Sequence, residues 1–191
     1  MSKVSVFKNL FNAKETPFDL SIFEVYNRIR LGNPELIKKI TTIRSLDKND
    51  PEHDRLKSSL NAIMFNGTFA ERNDNSLVEH SGFCILDFDQ YPSKKKMMDE
   101  RKRLIDDPYV MMVFTSPSGM GLKAVIRIPK SDKVEHKRRF TAFGKYFQSE
   151  YFDAKNSNVS RVCFESYDPD IYFNEFCQEF TGIEQDEGFH Y

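Results

Sequence analysis

The chain has 191 residues, with 28 Lys and Arg against 29 Asp and Glu, a formal charge of −1, 39% hydrophobic residues, 18 Phe and no Trp. This length suits one domain with a genuine core, expected over residues 1–180, and the balanced charge excludes a global basic field, so any polyanion site must be a local patch. Cys84, Cys163 and Cys177 are odd in number and widely spaced, which argues against a zinc or CxxC redox motif and suits a reduced, cytoplasmic setting; no apolar run is long enough to span a bilayer.

In chain order, "KVSVFKN" alternates as a first strand with Val4 and Val6 on one side. Thr16-Pro17 opens a predicted helix, "FDLSIFEVYNRIRLG", with Phe18, Ile22, Val25 and Ile29 at helical spacing and Gly32 as its C-cap. "PELIKKITTIRSL" and "DPEHDRLKSSL" read as two further helices. "AIMFNGTFAERND" joins an apolar run to a turn signal at Asn66-Gly67, either a hairpin tip or a loop beside a site.

"HSGFCILDFDQYP" is the clearest strand, stopped by Pro92, and "SKKKMMDERKRLIDD" a helix with a basic outer face. "PYVMMVFTSPSGMGLKAVIRIP" reads as strand, glycine-containing loop and strand. "SDKVEHKRRFTAFGKYFQSEYF" is a long helix with Phe140, Phe143, Phe147 and Tyr151 on one stripe; "NVSRVCFES" is another strand, and "YDPDIYFNEF" a turn into an irregular end. Residues 181–191 read as a tail or the start of a linker. The plan is α+β.

Three stretches carry chemistry. On a strand, Asp87 and Asp89 at i and i+2 project to one side with Phe83 and Ile85, while Cys84, Leu86 and Phe88 face the other. Two same-face carboxylates suit a hard divalent cation; the alternative is that the strand ends at Leu86 and both acids meet solvent. The loop "SPSGMGLK" offers Ser116 and Ser118 hydroxyls, backbone amides exposed by Gly119 and Gly121, and the Lys123 ammonium, which together suit a phosphate, or else form an ordinary hairpin loop. Downstream, Asp153 follows the Phe-striped helix, and Arg161 is either a phosphate clamp or the partner of Glu165 or Asp168.

"FNGTFAER", "HSGFCILDFD", "DPYVMMVFTSPSGMGLK" and "DAKNSNVSRVCFESYDPDIYFN", with a looser match at "VSVFKN", resemble the archaeo-eukaryotic primase superfamily of primase-polymerases, and within it the VirE N-terminal domain family of mobile elements and phages. The resemblance implies a primase-like core with an RRM-like mixed or antiparallel sheet flanked by helices, in which "ILDFD" is the metal-binding motif. It implies that Asp87, Asp89 and a third acid, Asp153 with Asp168 as fallback, hold Mg²⁺ or Mn²⁺ for nucleotidyl transfer in replication. Ser116, Ser118, Gly119, Gly121, Lys123 and Arg161 would then grip a nucleoside triphosphate. Lys123 stands where the superfamily's second motif has a His, and none of His53, His80, His136 and His190 replaces it. Arg72, Lys95 and Arg101 are expected contacts to single-stranded DNA, with Lys94, Lys96, Lys102 and Arg103 on the same basic helix. A replicative helicase is an expected partner and a membrane is not. The competing expectations are a catalytically silent nucleic-acid or nucleotide-binding replication module and a metal-dependent nuclease.

Overall fold

A computed structural model describes residues 2–11 and 16–183, so the proposed tail lies outside the described residues from position 184 onward. β1 (Lys3–Phe7) alternates as its sequence predicts, with Val4 and Val6 in one core cluster and Phe7 in another. It forms the centre of an antiparallel sheet in the order β2 (Phe18–Ser21), β1, β3 (Ala62–Met64), β9 (Cys163–Phe164).

The first helix starts later than its periodicity suggests. Residues 18–21 pair with β1, and α1 (Ile22–Leu31) opens at Ser21, which forms a capping box with Glu24. Pairing with a neighbouring strand outweighs the helical spacing of Phe18, while the cap signal Ser21-x-x-Glu24 marks the true start. The Gly32 N–H closes the helix on Arg28 O at 2.9 Å. α2 (Pro34–Ser45) and α3 (Pro51–Ser58) each place Pro at the start of the first turn, behind Asn33 and Asp50 caps.

The second sheet is built from β6 (Phe83–Phe88), α4 (Lys94–Ile105), β7 (Val110–Thr115), β8 (Leu122–Arg127) and α5 (Lys133–Phe147), with β10 (Tyr172–Phe173) added on one edge. Its order is β10, β7, β8, β6, all antiparallel. Beyond β6 the chain leaving α5 makes one antiparallel bridge, Phe88 to Phe152, flanked by Asp89 N–H to Tyr151 O and Asp153 N–H to Asp87 O, both 2.9 Å. This is an RRM-like order whose fourth strand has shrunk to a single bridge. The fold is therefore α+β, with antiparallel sheets flanked by five helices among the described residues. Two endings differ from expectation: "NVSRVCFES" keeps only the two residues of β9, and "YDPDIYFNEF" contains β10.

Strand parity divides the interior. Cys84, Leu86 and Phe88, with Leu122, Ala124 and Ile126, pack under α4 and α5 against Met97, Leu104, Phe140, Phe143 and Phe147. On the opposite face, Phe83, Ile85, Phe114 and Val125 meet Val4, Val6, Val25, Ile29, Ile63 and Phe65. The two sheets thus share a core, and Asp87 belongs to that inner face. Asn66 is not a hairpin tip: its side chain donates to Val159 O at 2.9 Å and accepts from Ile85 N–H at 3.0 Å, tying three segments together. Gly67 opens β4 (Gly67–Phe69), which pairs with β5 (Leu77–His80).

A buried imidazole pair closes the other end of β6. The Gly82 N–H donates to His80 Nδ1 at 3.0 Å, so a neutral His80 carries its proton on Nε2 and donates it to His136 Nδ1, also at 3.0 Å. His136 Nε2–H then points toward Cys84 Sγ at 3.9 Å. Burial, aided by Lys130 and Arg139, depresses His80 to about 4, and burial together with His80 depresses His136 to about 3. Burial also raises the Cys84 thiol, so this end of the strand is uncharged.

Two predictions follow from these contacts. A Cβ at Gly67 would lie 2.5 Å from Glu79 O, so Gly67→Ala is expected to lower stability by about 1–3 kcal/mol in urea unfolding. The unfolded imidazoles, near the ordinary histidine value of 6.5, take up protons that the folded pair refuses. Stability is complete above that pH and drains as pH falls through about 4 and then about 3, with up to about two protons bound on unfolding. His136→Gln should reduce that pH slope of Tm by roughly half.

Candidate nucleotide and metal site

Because the Asp87 carbonyl faces Asp153, Asp87 and its β8 partner Lys123 form a pair whose side chains stand close on the inner face. Lys123 Nζ donates to Asp87 Oδ1, and Arg161 Nη2 donates to Oδ2 at 2.9 Å. Burial pushes the Asp87 carboxyl up, but the two cations outweigh it and hold the group below the ordinary carboxylate range. Of the readings open to Arg161, neither Glu165 nor Asp168 is its partner. Glu165 is held by Arg28 at 2.6 Å and by Asn61, and Asp168 Oδ2 accepts from Thr115 N–H at 2.7 Å.

The backbone ladder puts Asp153, Asp87 and Lys123 in one row across the sheet, with Asp89 two residues along the same strand. Asp89 is exposed beyond the end of β6. Asp153 is half-buried and caps a turn, accepting from Lys155 N–H at 3.0 Å and from Asn156 Nδ2. Three carboxylates on one face are the right donors for a hard cation. In this arrangement Asp87 and Asp153 are engaged with separate partners, and among the described residues no three His, Cys, Asp or Glu side chains gather around one point. The donors have the chemistry a hard divalent cation takes but do not converge, and for Asp87 to hold an ion it would have to give up a cationic partner.

The glycine loop is a tight turn. Ser116 N–H donates to Gly121 O and Gly119 N–H to Ser116 O, both at 2.9 Å, and the Ser116 and Ser118 hydroxyls meet at 3.1 Å. Gly119 takes φ 76°, and a Cβ there would touch the Arg44 stem at 3.3 Å. Gly121 packs so near the end of β6 that a Cβ would lie 3.0 Å from Phe88 O and 3.5 Å from Asp89 Cβ. Loop and acids are therefore neighbours.

Two residues here carry no signal in the sequence. Arg44 of α2 donates to Ser116 O at 3.2 Å and Tyr167 O at 3.0 Å, fastening the loop to the opposite lobe. Lys57 of α3 lies 5.7 Å from the centre of the Phe164 ring, half-buried. Burial first, then repulsion from Lys123, lowers its affinity for a proton. Both reach the site because Leu36, Ile40, Ile43 and Leu60 pack against Phe164 and Tyr167, contacts far apart in the chain.

The three expected DNA contacts separate. Arg72 donates to Leu10 O at 3.1 Å and lies over the Phe7 ring, and Arg101 is buried, donating to Val113 O and Asp170 O. Both hold the fold together as placed, whereas Lys95 is exposed on α4. Grooves also lie elsewhere, one of about 660 Å³ against Lys3, Glu79 and Lys130 and one of about 310 Å³ against Asn33, Leu36 and Asn61. A phosphate chain needs convergent donors more than depth, and those are gathered at Asp87.

The family model for the BT4734-like, N-terminal domain matches residues 55–173, most of the chain, from α3 through β10. The chain belongs to the BT4734-like N-terminal domain family. Lys57, Asp87, Lys123, Asp153 and Arg161 all fall inside the matched stretch of this BT4734-like domain. None of the curated proteins matches it. Among solved structures it is similar to the AEP domain (PP-N190) of the Cyanophage S-2L primase-polymerase (PrimPol), at 12% identity and a TM-score of 0.45, over 94% of this chain and 84% of that one. Among the described residues of the BT4734-like domain, no helix is long and apolar enough to cross a membrane.

Asp87→Asn leaves Lys123 and Arg161 facing an uncharged amide, and is expected to cost about 2–3 kcal/mol in urea unfolding. Asp89→Asn, at an exposed position, should stay within about 0.5 kcal/mol of wild type.

Proposed function

We propose that this domain is the nucleotidyl-transfer domain of a primase-polymerase, related to the VirE N-terminal domains and serving replication of a phage or mobile element. The observation that supports it is the row Asp153, Asp87, Lys123 on one sheet face, with Asp89 and the glycine loop at its end. Nucleoside triphosphates and single-stranded DNA are the partners this reading names, with a replicative helicase as the neighbour it serves.

In this reading Ser116, Ser118 and the turn at Gly119 and Gly121 orient the triphosphate, and Arg161 donates to its oxygens. Lys123 passes from Asp87 Oδ1 to a phosphate oxygen, which leaves the carboxylate open. Asp87, Asp89 and Asp153 would hold Mg²⁺ or Mn²⁺, which when bound stabilises charge on the phosphates and acidifies the attacking hydroxyl. The 3′-oxygen forms a bond to the α-phosphorus, the α–β P–O bond breaks, pyrophosphate leaves, and the hydroxyl proton passes to water. Lys95 on α4 is the remaining exposed contact to a nucleic-acid backbone.

A second reading is favoured by the engagement of both Asp87 oxygens with Lys123 and Arg161. Here the domain binds nucleotide or single-stranded DNA without transferring it. Primer extension on single-stranded DNA with Mg²⁺ or Mn²⁺ and nucleoside triphosphates separates the two. Extension is expected, with Asp89→Asn lowering it at least about 100-fold and chelator abolishing it. Chelator-insensitive binding with no extension under either metal selects the second reading, and shortened strands in place of extended ones point to a nuclease.

A further inference from the structure

Three cations gather beside Asp87, and not all of their donors find an acceptor. Lys57, Lys123, Arg161 and Asp87 all act on the buried Cys163 thiol, which places three cations and one carboxylate around the start of β9. Asp87 answers Lys123 and Arg161 through its two oxygens and has none left for Lys57. Among the described residues, Lys57 donates no hydrogen bond to a carboxylate or carbonyl; its close contact is the Phe164 ring. Asp54 and Asp87 attract it through space and Lys48 repels it, and Asp54 itself is engaged with His53 at 3.0 Å. Arg161 Nε is likewise buried without an acceptor. A half-buried ammonium next to another cation is unfavourable unless an anion joins them.

We propose that Lys57 is a phosphate-binding residue, the third cation of a cradle with Lys123 and Arg161 that takes the polyphosphate chain of a nucleotide. It rests on the reading of this cleft as a nucleotide site, and adds that the helical N-terminal segment supplies part of the grip. Arg44 serves it by holding the loop against the same lobe. Because the cradle consists of protein cations, it captures polyphosphate before any divalent ion is present.

The test is titration calorimetry of inorganic tripolyphosphate and of a nucleoside triphosphate into the protein in chelator, with unfolding curves for every variant. Wild type is expected to bind both. Lys57→Met, which keeps the stem on Phe164, should weaken both about tenfold or more while remaining as stable as wild type, and Lys57→Arg should restore most of the affinity. Wild-type affinity in Lys57→Met, with loss in Lys123→Met, overturns the role of Lys57 and leaves the nucleotide site standing. No binding of either probe by folded wild type overturns both.

Discussion

A carboxylate on a strand buried on both faces has to be answered by charge, and much of this structure follows from how Asp87 is answered. Its inner-face neighbours across β6 are fixed by backbone pairing, Lys123 on one side and Asp153 on the other. Arg161 arrives from the segment that then forms β9 and joins the first sheet. Both partners keep some contact with water, 19% for Lys123 and 32% for Arg161, against 10% for the Asp87 side chain. The acid is therefore the fixed member, and the cations are the ones able to move.

Around that point the two sheets act as a clamp. Their shared apolar core sets the spacing between lobes, and the α2 and α3 stripe on Phe164 and Tyr167 carries Arg44 and Lys57 to the rim. The glycine turn is caught between Arg44 and the end of β6, so its short loop is held by contacts from both lobes. Opposite charge at this end of β6 contrasts with the other end, where His80 and His136 are kept neutral by burial.

Local patterns were legible wherever the local signal and the tertiary outcome agree. The alternation of Val4 and Val6, the parity of Phe83 to Phe88, Gly32 as the cap that ends the first helix and the β7–β8 hairpin could all be read from the sequence. Phe18 to Ser21 misled because a helical period and a strand edge both accept those residues, and β1 decided between them. β10, at two residues, is too short to leave a pattern. In the site, Asp87, Lys123 and Arg161 were identifiable as residue types, but the ion pair between them was not, since pairing depends on register and on a return across most of the fold. Lys57 and Arg44 look like solvated helix charges in sequence; the Arg101 stem reads as core-facing and does turn inward, but its guanidinium goes to Val113 O rather than out to a nucleic acid.

The reduced fourth strand has a further consequence. Asp153 is tied to β6 by one backbone hydrogen bond beside a single bridge, while Asp87 sits in a full ladder with β8. Edges held by so few bonds open locally at far smaller cost than the global unfolding of the domain. The amides of Asp89 and Asp153 are thus placed to exchange hydrogen long before those of Leu86 or Val125. Asp153 can therefore leave and rejoin the sheet edge by local opening while Asp87 stays anchored, without disturbing the core beneath it.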